Sequence, residues 1–86
     1  MDKHIIIGVH IHNRGENAGR VQQLLTEYGC HIKTRLGLHE VGEGKCANGG
    51  VLLLELVGDE VRCRELESKL AAIGGVEVQK MEFGHD

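Results

Sequence analysis

Aliphatic residues alternate with other residues near the start of the chain, and this alternation restricts the fold more than any other feature. Ile5, Ile7, Val9 and Ile11 are each separated by one residue. Because successive side chains of a β-strand point to opposite sides, this spacing predicts a strand over residues 4–12 with one apolar face. The other face of this strand would carry His4, Ile6, Gly8, His10 and His12.

Strand and helix patterns repeat along the rest of the chain in the order β-α-β-β-α-β. After a break at Asn13-Arg14-Gly15, apolar residues recur at helical spacing, and a second helical stripe follows Asp59, a good N-cap residue. The first stripe consists of Ala18, Val21, Leu24, Leu25 and Tyr28, and the second of Val61 or Cys63, Leu66, Leu70 and Ile73. The other predicted strands cover residues 32–39, 51–57 and 76–81, and the glycine-rich residues 42–50 predict a loop.

This order of elements predicts an α+β ferredoxin-like (βαββαβ) sandwich, with two helices on one face of a four-stranded antiparallel sheet. We expect residues 1–86 to form a single domain, because 86 residues are fewer than a typical domain contains. In this topology the first and third strands are central, and the second face of the sheet is bare. That face would carry Ile6, Val51, Leu53 and Val57, so we expect it to join a homo-oligomer, a dimer or a tetramer.

Charge and composition exclude several classes of function. The formal net charge is −3, and the chain has one Tyr, one Phe and no Trp. A nucleic-acid surface needs basic and stacking side chains, so direct nucleic-acid binding is not expected. The longest apolar run, residues 51–54, is too short for a membrane span, and three cysteines without a Cys-x-x-Cys pair favour the reducing cytoplasm. No arrangement of nucleophile, base and acid predicts an enzyme.

Four residues with metal-binding side chains are predicted to converge on one corner of the sheet. His10 and His12 lie two residues apart on the first strand, so both point to one face. Parallel first and second strands put His39 at the same end and on the same bare face, with Cys46 in the adjoining hairpin. Imidazole and thiolate ligands suit Zn²⁺, Ni²⁺ or Fe²⁺, so a divalent transition metal is the candidate cofactor. The alternative is that these are polar residues at an oligomer interface or its rim.

Three more side chains have expected positions. Cys30, after a helix end, and Cys63, on a helical stripe, are expected to be small core residues. Arg35 would lie on the bare face of the sheet, where it could bind a carboxylate or phosphate, or pair with Glu55 or Glu77.

The turn Asn13-Arg14-Gly15-Glu16 is the candidate site for a small-molecule ligand. The helix that follows presents unpaired backbone N–H groups and the positive end of its dipole, which suit an anionic or zwitterionic metabolite. From Asn13 to Ile32 the chain resembles an ACT domain, a small-ligand regulatory module, and the turn lies where ACT domains carry Asp-x-Pro-Gly. The resemblance implies that Asn13, Arg14, Gly15 and Glu16 contact the ligand. A ligand bound between subunits is the alternative.

A second set of motifs extends over most of the chain. It consists of Glu27-Tyr28-Gly29, Arg35-Leu36-Gly37, Leu66, Lys69-Leu70 and Gly75-Val76-x-Val78-x-Lys80. This set resembles the ACT-like family of regulators of the iron-only hydrogenase system. The resemblance implies that residues 1–86 are a single ACT-like regulatory domain that senses a ligand without catalysing a reaction.

The segment Leu36-Gly37-Leu38-His39, with Cys46 in the hairpin that follows, carries a further resemblance. It is similar to the ligand-binding domain of the nickel-responsive repressor, whose second strand carries His-x-His before a cysteine. Gly37 replaces the first of these histidines and His39 matches the second. The resemblance implies nickel as the ion for His39 and Cys46. Together with the predicted convergence of His10 and His12 on the same corner, it gives the alternative function, a transition-metal binding module that uses His10, His12, His39 and Cys46.

Overall fold

The computed structural model describes the backbone of residues 3–12, 14–42 and 45–84, and their side chains outside 14–16, 38–42 and 45–49. Its elements are β1 (Lys3–Ile11), α1 (Arg14–Glu27), a short 3-10 helix (Gly29–His31), β2 (Ile32–Gly42), β3 (Lys45–Leu56), α2 (Glu60–Ala71) and β4 (Val76–Gly84). The strands form one antiparallel sheet in the order β2-β3-β1-β4. This is the predicted ferredoxin-like sandwich, with β1 and β3 at its centre.

The core lies between the sheet and the two helices. The apolar row of β1 is buried as its alternation predicts, and Leu54 and Leu56 continue the same layer on β3. The helices contribute Val21, Leu24, Leu25, Tyr28, Cys63, Leu66 and Leu70. Burial of each large apolar side chain stabilises the folded state by about 1.5–3 kcal/mol, so this layer is the main source of hydrophobic stabilisation. Ala18 is exposed, so the buried stripe of α1 begins at Val21.

The second helix begins and ends where its sequence predicts. The Asp59 carboxylate accepts a hydrogen bond from the Val61 backbone N–H at 2.9 Å, as an N-cap residue does. Val61 itself is 64% exposed, and Cys63 takes the first buried position of the stripe. After α2 the chain turns at Gly75, whose φ of 83° lies in the left-handed region that favours glycine.

The sequence of the second strand predicts one apolar row, Ile32, Thr34, Leu36 and Leu38, and the structure departs from this alternation. Ile32 pairs with Leu56 and Thr34 with Glu55, so the register shifts between them and Lys33 forms a bulge. Ile32 therefore packs against the core, whereas Thr34 and Leu36 lie on the opposite face. Because the side-chain period of a strand is two, one extra residue reverses every face beyond it.

Two further expectations are wrong. The predicted loop over residues 42–50 is largely strand, because the β2–β3 ladder continues to Val41–Cys46 and Gly42–Lys45 and so pairs backbone groups that a loop would leave to solvent. Cys30 is exposed, because the short 3-10 helix after α1 buries none of its residues. Within the described residues, neither helix has the length and apolar character needed to cross a membrane.

Candidate functional site

The face of the sheet away from the helices carries the candidate sites, and we call it the bare face. Directly opposite residues of antiparallel strands share a face, so the register defines it. Its described members are Thr34, Leu36, Val51, Leu53, Glu55, His4, Ile6, Gly8, His10, Glu77, Gln79, Met81 and Phe83. The predicted positions of Ile6, Val51 and Leu53 are confirmed. Val57 follows the end of β3 and is half-buried.

The bare face carries exposed apolar side chains on both of its edge strands. Leu36, Met81 and Phe83 are each 51% exposed. Within the described part of the chain, Val61 on α2 is the one other exposed large apolar residue. Leu36 lies on β2 at one edge of the sheet, and Met81 and Phe83 lie on β4 at the other edge. Half-buried Ile6, Val51 and Leu53 lie between them on β1 and β3, so apolar side chains extend across the face and mark a surface for contact.

His10 and His12 come together at one end of the bare face. Nδ1 of His10 lies 3.1 Å from Nε2 of His12, and the rings are nearly perpendicular at 89° with centroids 4.3 Å apart. Glu77 is directly opposite His10 in the β1–β4 ladder. One ligand atom from each of the three residues lies within 4.8 Å of the others. The three side chains are half-buried or exposed, so the cluster opens to solvent.

The backbone of His12 is held from two sides. Its N–H donates to the Gly75 carbonyl at 2.7 Å, and its carbonyl accepts from Nδ2 of Asn17 at 3.0 Å. These bonds tie the end of β1 to the turn before β4 and to α1. His12 therefore has a fixed backbone position although it lies beyond the last residue of β1.

The predicted metal-binding set is brought together only in part. His10 and His12 lie side by side as expected, but the backbone of His39 pairs with Gly50, a buried position in the helix-facing row. Beyond the bulge at Lys33 the backbone pairing of β2 is shifted by one residue from a regular ladder. Cys46 pairs with Val41 through its backbone. The side chains of His39 and Cys46 lie outside the described part, so their contribution to a metal site stays a prediction.

Arg35 lies on the opposite side from the one expected. Its Nη2 donates to Oε1 of Gln22 on α1 at 2.6 Å, so it packs over the helix layer and does not pair with Glu55 or Glu77 across the bare face. The same bulge in β2 is the cause.

The candidate ligand turn is described only by its helix. Arg14, Gly15 and Glu16 form the first turn of α1, and Asn13 lies outside the described residues, as do the side chains of the other three. Ligand binding by these residues stays a prediction.

A cleft lies at the other end of the bare face, and no sequence motif indicated it. Its volume is about 300 Å³, and it is lined by Lys3, His4, Lys33, Glu55, Leu56, Val57 and Gly58. Two lysines, one from the start of β1 and one from the bulge in β2, supply positive charge. The bulge at Lys33 depends on the pairing of β2 with β3, so the alternation of β2 in the sequence does not indicate it.

Glu55 is the acidic group of this cleft and is already engaged. Nε2 of His4 donates to one carboxylate oxygen at 2.5 Å, and the Thr34 hydroxyl donates to the other at 2.9 Å. The hydrogen bond from His4 makes the largest contribution to lowering the pKa of the Glu55 carboxyl, and the bond from Thr34 makes the next largest. The charge of Lys33 lowers this pKa by a smaller amount. The cleft therefore holds one hydrogen-bonded carboxylate and two lysines, so the positive charges outnumber the negative one.

Comparison with solved structures places the fold among known ferredoxin-like proteins. An uncharacterized protein from Thermotoga maritima is 27% identical, with a TM-score of 0.80 over 94% of this chain and 98% of that one. A nitrogen regulatory PII-like protein from Thiomonas intermedia, bound to ADP, AMP and bicarbonate, is 15% identical, with a TM-score of 0.56 over 98% of this chain and 96% of that one.

A dimeric ferredoxin-like protein from an uncultured marine organism is also similar. It is 10% identical, with a TM-score of 0.56 over 95% of this chain and 94% of that one. No protein-family model matches the chain, and neither does any curated protein. The similarities establish the ferredoxin-like sandwich as the class of this protein.

Proposed function

We propose that this protein is a small, non-catalytic regulatory module that senses a ligand and acts as a homo-oligomer assembled through the bare face. The observation that carries the proposal is the exposure of Leu36, Met81 and Phe83 on the two edge strands of the bare face, with the half-buried apolar side chains of Ile6 and Leu53 between them. A protein that stayed monomeric would keep this surface in water. At about 25 cal/mol per Å² of apolar area, covering it with a second copy is favourable.

The arrangement of the bare face suits a second copy of the same chain. Apolar residues occupy its middle, and the polar His10 and Glu77 and the charged cleft lie at its ends. An apolar centre with a polar rim is the composition of stable interfaces. Gly8 lies in the central strand and adds no side chain there, which allows close approach. The dimeric state of the similar marine protein supports this assembly.

The cleft beside Lys3 and Lys33 supports ligand sensing. Two ammonium groups and a hydrogen-bonded histidine suit a small anion such as a carboxylate or a phosphate. The similar PII-like protein binds ADP, AMP and bicarbonate, all of which are anions. The turn at residues 13–16 is the second candidate position for a ligand. The sequence motifs extend the proposal to regulation of the iron-only hydrogenase system, within the cytoplasm.

Charge substitutions test the assembly directly. Leu53→Glu and Met81→Glu each place a carboxylate on the bare face, and burying it unpaired in an interface costs several kcal/mol. We expect both variants to dissociate to monomers in sedimentation velocity runs. Val61→Glu is the matched control, because Val61 is an exposed apolar residue on α2. Dissociation by Val61→Glu, or intact oligomers in both bare-face variants, would show that another surface joins the subunits.

A further inference from the structure

We propose that His10, His12 and Glu77 form a binding site for one divalent transition-metal ion, of the class Zn²⁺, Ni²⁺, Co²⁺ or Fe²⁺. This inference goes beyond the regulatory proposal and does not depend on it. It differs from the sequence-based set in its third ligand, since a carboxylate from β4 takes the place of His39 and Cys46.

The separation of the two histidine nitrogens fits a shared ion. Imidazole nitrogens bind Zn²⁺ at about 2.0–2.1 Å, so two of them on a tetrahedral ion lie about 3.3 Å apart, and on an octahedral ion about 2.9 Å apart. Nδ1 of His10 and Nε2 of His12 are 3.1 Å apart, between these two values. Small movements of the two rings are enough to bring both nitrogens onto one ion.

Glu77 supplies the third ligand from the neighbouring strand. Directly opposite residues of an antiparallel pair have Cβ atoms about 4.5–5.5 Å apart, which is within reach of a shared ion for a glutamate and a histidine. The ligand atoms of all three side chains lie within 4.8 Å of one another. Two histidines and one carboxylate form a ligand set known for Zn²⁺ and for non-haem Fe²⁺, in which the ion keeps an open position for water or another ligand.

The backbone holds this set in place before any ion binds. His10 and Glu77 are fixed by the β1–β4 ladder, and His12 is held by its bonds to Gly75 and Asn17. A prearranged site spends little binding energy on ordering its ligands. Two imidazole ligands also favour transition metals over Mg²⁺ and Ca²⁺, which prefer oxygen.

The competing explanation is an exposed histidine pair joined by an ordinary hydrogen bond. In that arrangement one ring donates to the other at 3.1 Å, and Glu77 is a surface carboxylate. The two explanations differ in the effect of Glu77, because the histidine pair alone offers two ligands and holds a metal only weakly. The test must therefore measure the effect of Glu77 on metal affinity separately from the effect of the histidines.

The experiment is calorimetric titration of tag-free protein with Zn²⁺, Ni²⁺ and Co²⁺, with the Co²⁺ visible absorption spectrum as a report on its ligands. We expect one ion per chain. Since loss of even an outer-shell partner lowers metal affinity about 10–100-fold, loss of a direct ligand in Glu77→Gln or His12→Ala should lower it by at least about tenfold. His4→Asn is the matched control, since His4 is on the same strand and face but lies beside Glu55 at the other end. It should leave affinity unchanged, and Mg²⁺ and Ca²⁺ should not bind.

Circular dichroism confirms that each variant is folded, which is expected because Glu77 and His12 are exposed. Absence of saturable binding by all three ions would overturn the proposal. So would an unchanged affinity in Glu77→Gln together with a loss in His39→Ala or Cys46→Ser, which would assign the ion to the sequence-based set. The oligomeric state of the bare-face variants is measured without metal. A negative result in the metal titration therefore does not decide whether the protein is a regulatory homo-oligomer.

Discussion

Gly75 and Asn17 approach so closely that a Cβ on Gly75 would lie 2.6 Å from Nδ2 of Asn17. The same Cβ would lie 3.4 Å from the carbonyl oxygen of His12. Asn17 uses this Nδ2 to hold the His12 carbonyl, so the glycine makes room for the hydrogen bond that fixes the end of β1. The turn before β4 and the first helix are thereby coupled through one residue that must lack a side chain.

Gly75→Ala should therefore destabilise the fold. The φ of 83° costs a residue with a Cβ about 1–3 kcal/mol, and the contact with Asn17 adds to that cost. Gly74→Ala is the matched control, because a Cβ there meets no atom within 4 Å and its φ lies outside the left-handed region. Urea unfolding should show a lower midpoint for Gly75→Ala than for Gly74→Ala. Equal midpoints would mean that the turn accommodates a side chain.

The hydrogen-bonded carboxylate of Glu55 predicts a specific response to acid. His4 and then Thr34 lower the pKa of Glu55 in the folded protein, so its contribution to stability is complete at neutral pH and is lost as the pH falls below about 4. Thr34→Val removes one donor and should raise the pKa of Glu55 toward its ordinary value. Carbon-detected NMR titration of the Glu55 carboxyl measures this. An unchanged titration in Thr34→Val would show that the Thr34 hydroxyl does not stabilise the carboxylate in solution.

The two described cysteines should react at very different rates. Cys30 is exposed and Cys63 is buried, and burial raises the pKa of the Cys63 thiol, with further contributions from the charges of Asp59 and Glu60. Since the thiolate is the reactive form, iodoacetamide should modify Cys30 in the native protein and Cys63 only after unfolding. Mass spectrometry of the Cys46→Ser variant separates the two sites. Labelling of Cys63 at the rate of Cys30 under native conditions would show that α2 opens readily.

Anion binding in the cleft should depend on its lysines. A ligand present at a hundredfold excess over its dissociation constant stabilises the folded state by about 2.7 kcal/mol, which a thermal-shift screen of carboxylates and nucleotides detects. Lys33→Ala should abolish the shift, and Lys69→Ala, on α2 beside Glu27, should not. A shift lost in Arg14→Ala but kept in Lys33→Ala would assign the ligand to the first turn of α1.

Periodicity predicted the parts of the fold in which local pattern and burial agree. The alternation of β1 and the stripes of both helices depend on which side chains face the core, and the structure confirms them apart from Ala18. The face of β2 could not be predicted, because the bulge at Lys33 is a property of its pairing with β3 and leaves no mark in the alternation. The position expected for Arg35 was wrong for this reason.

The position of Glu77 near His10 could be predicted in part from the sequence. Glu77 alternates with Val76 and Val78, which predicts that it points away from the core, and the antiparallel pairing of the first and last strands follows from the fold. The exact register that puts Glu77 opposite His10 depends on the turn at Gly75 and on the His12–Gly75 hydrogen bond. The cleft beside Lys33 depends on the bulge as well, and thus on pairing that a single sequence does not specify.

The central claim is that the bare face is covered by a second copy of the chain. Light scattering coupled to size-exclusion chromatography, on the unmodified protein at micromolar concentration, tests this most directly. We expect a mass that is at least twice the 9.4 kDa of one chain and that persists on tenfold dilution. A mass of 9.4 kDa throughout would contradict it, because Leu36, Met81 and Phe83 would then remain exposed in the working form of the protein.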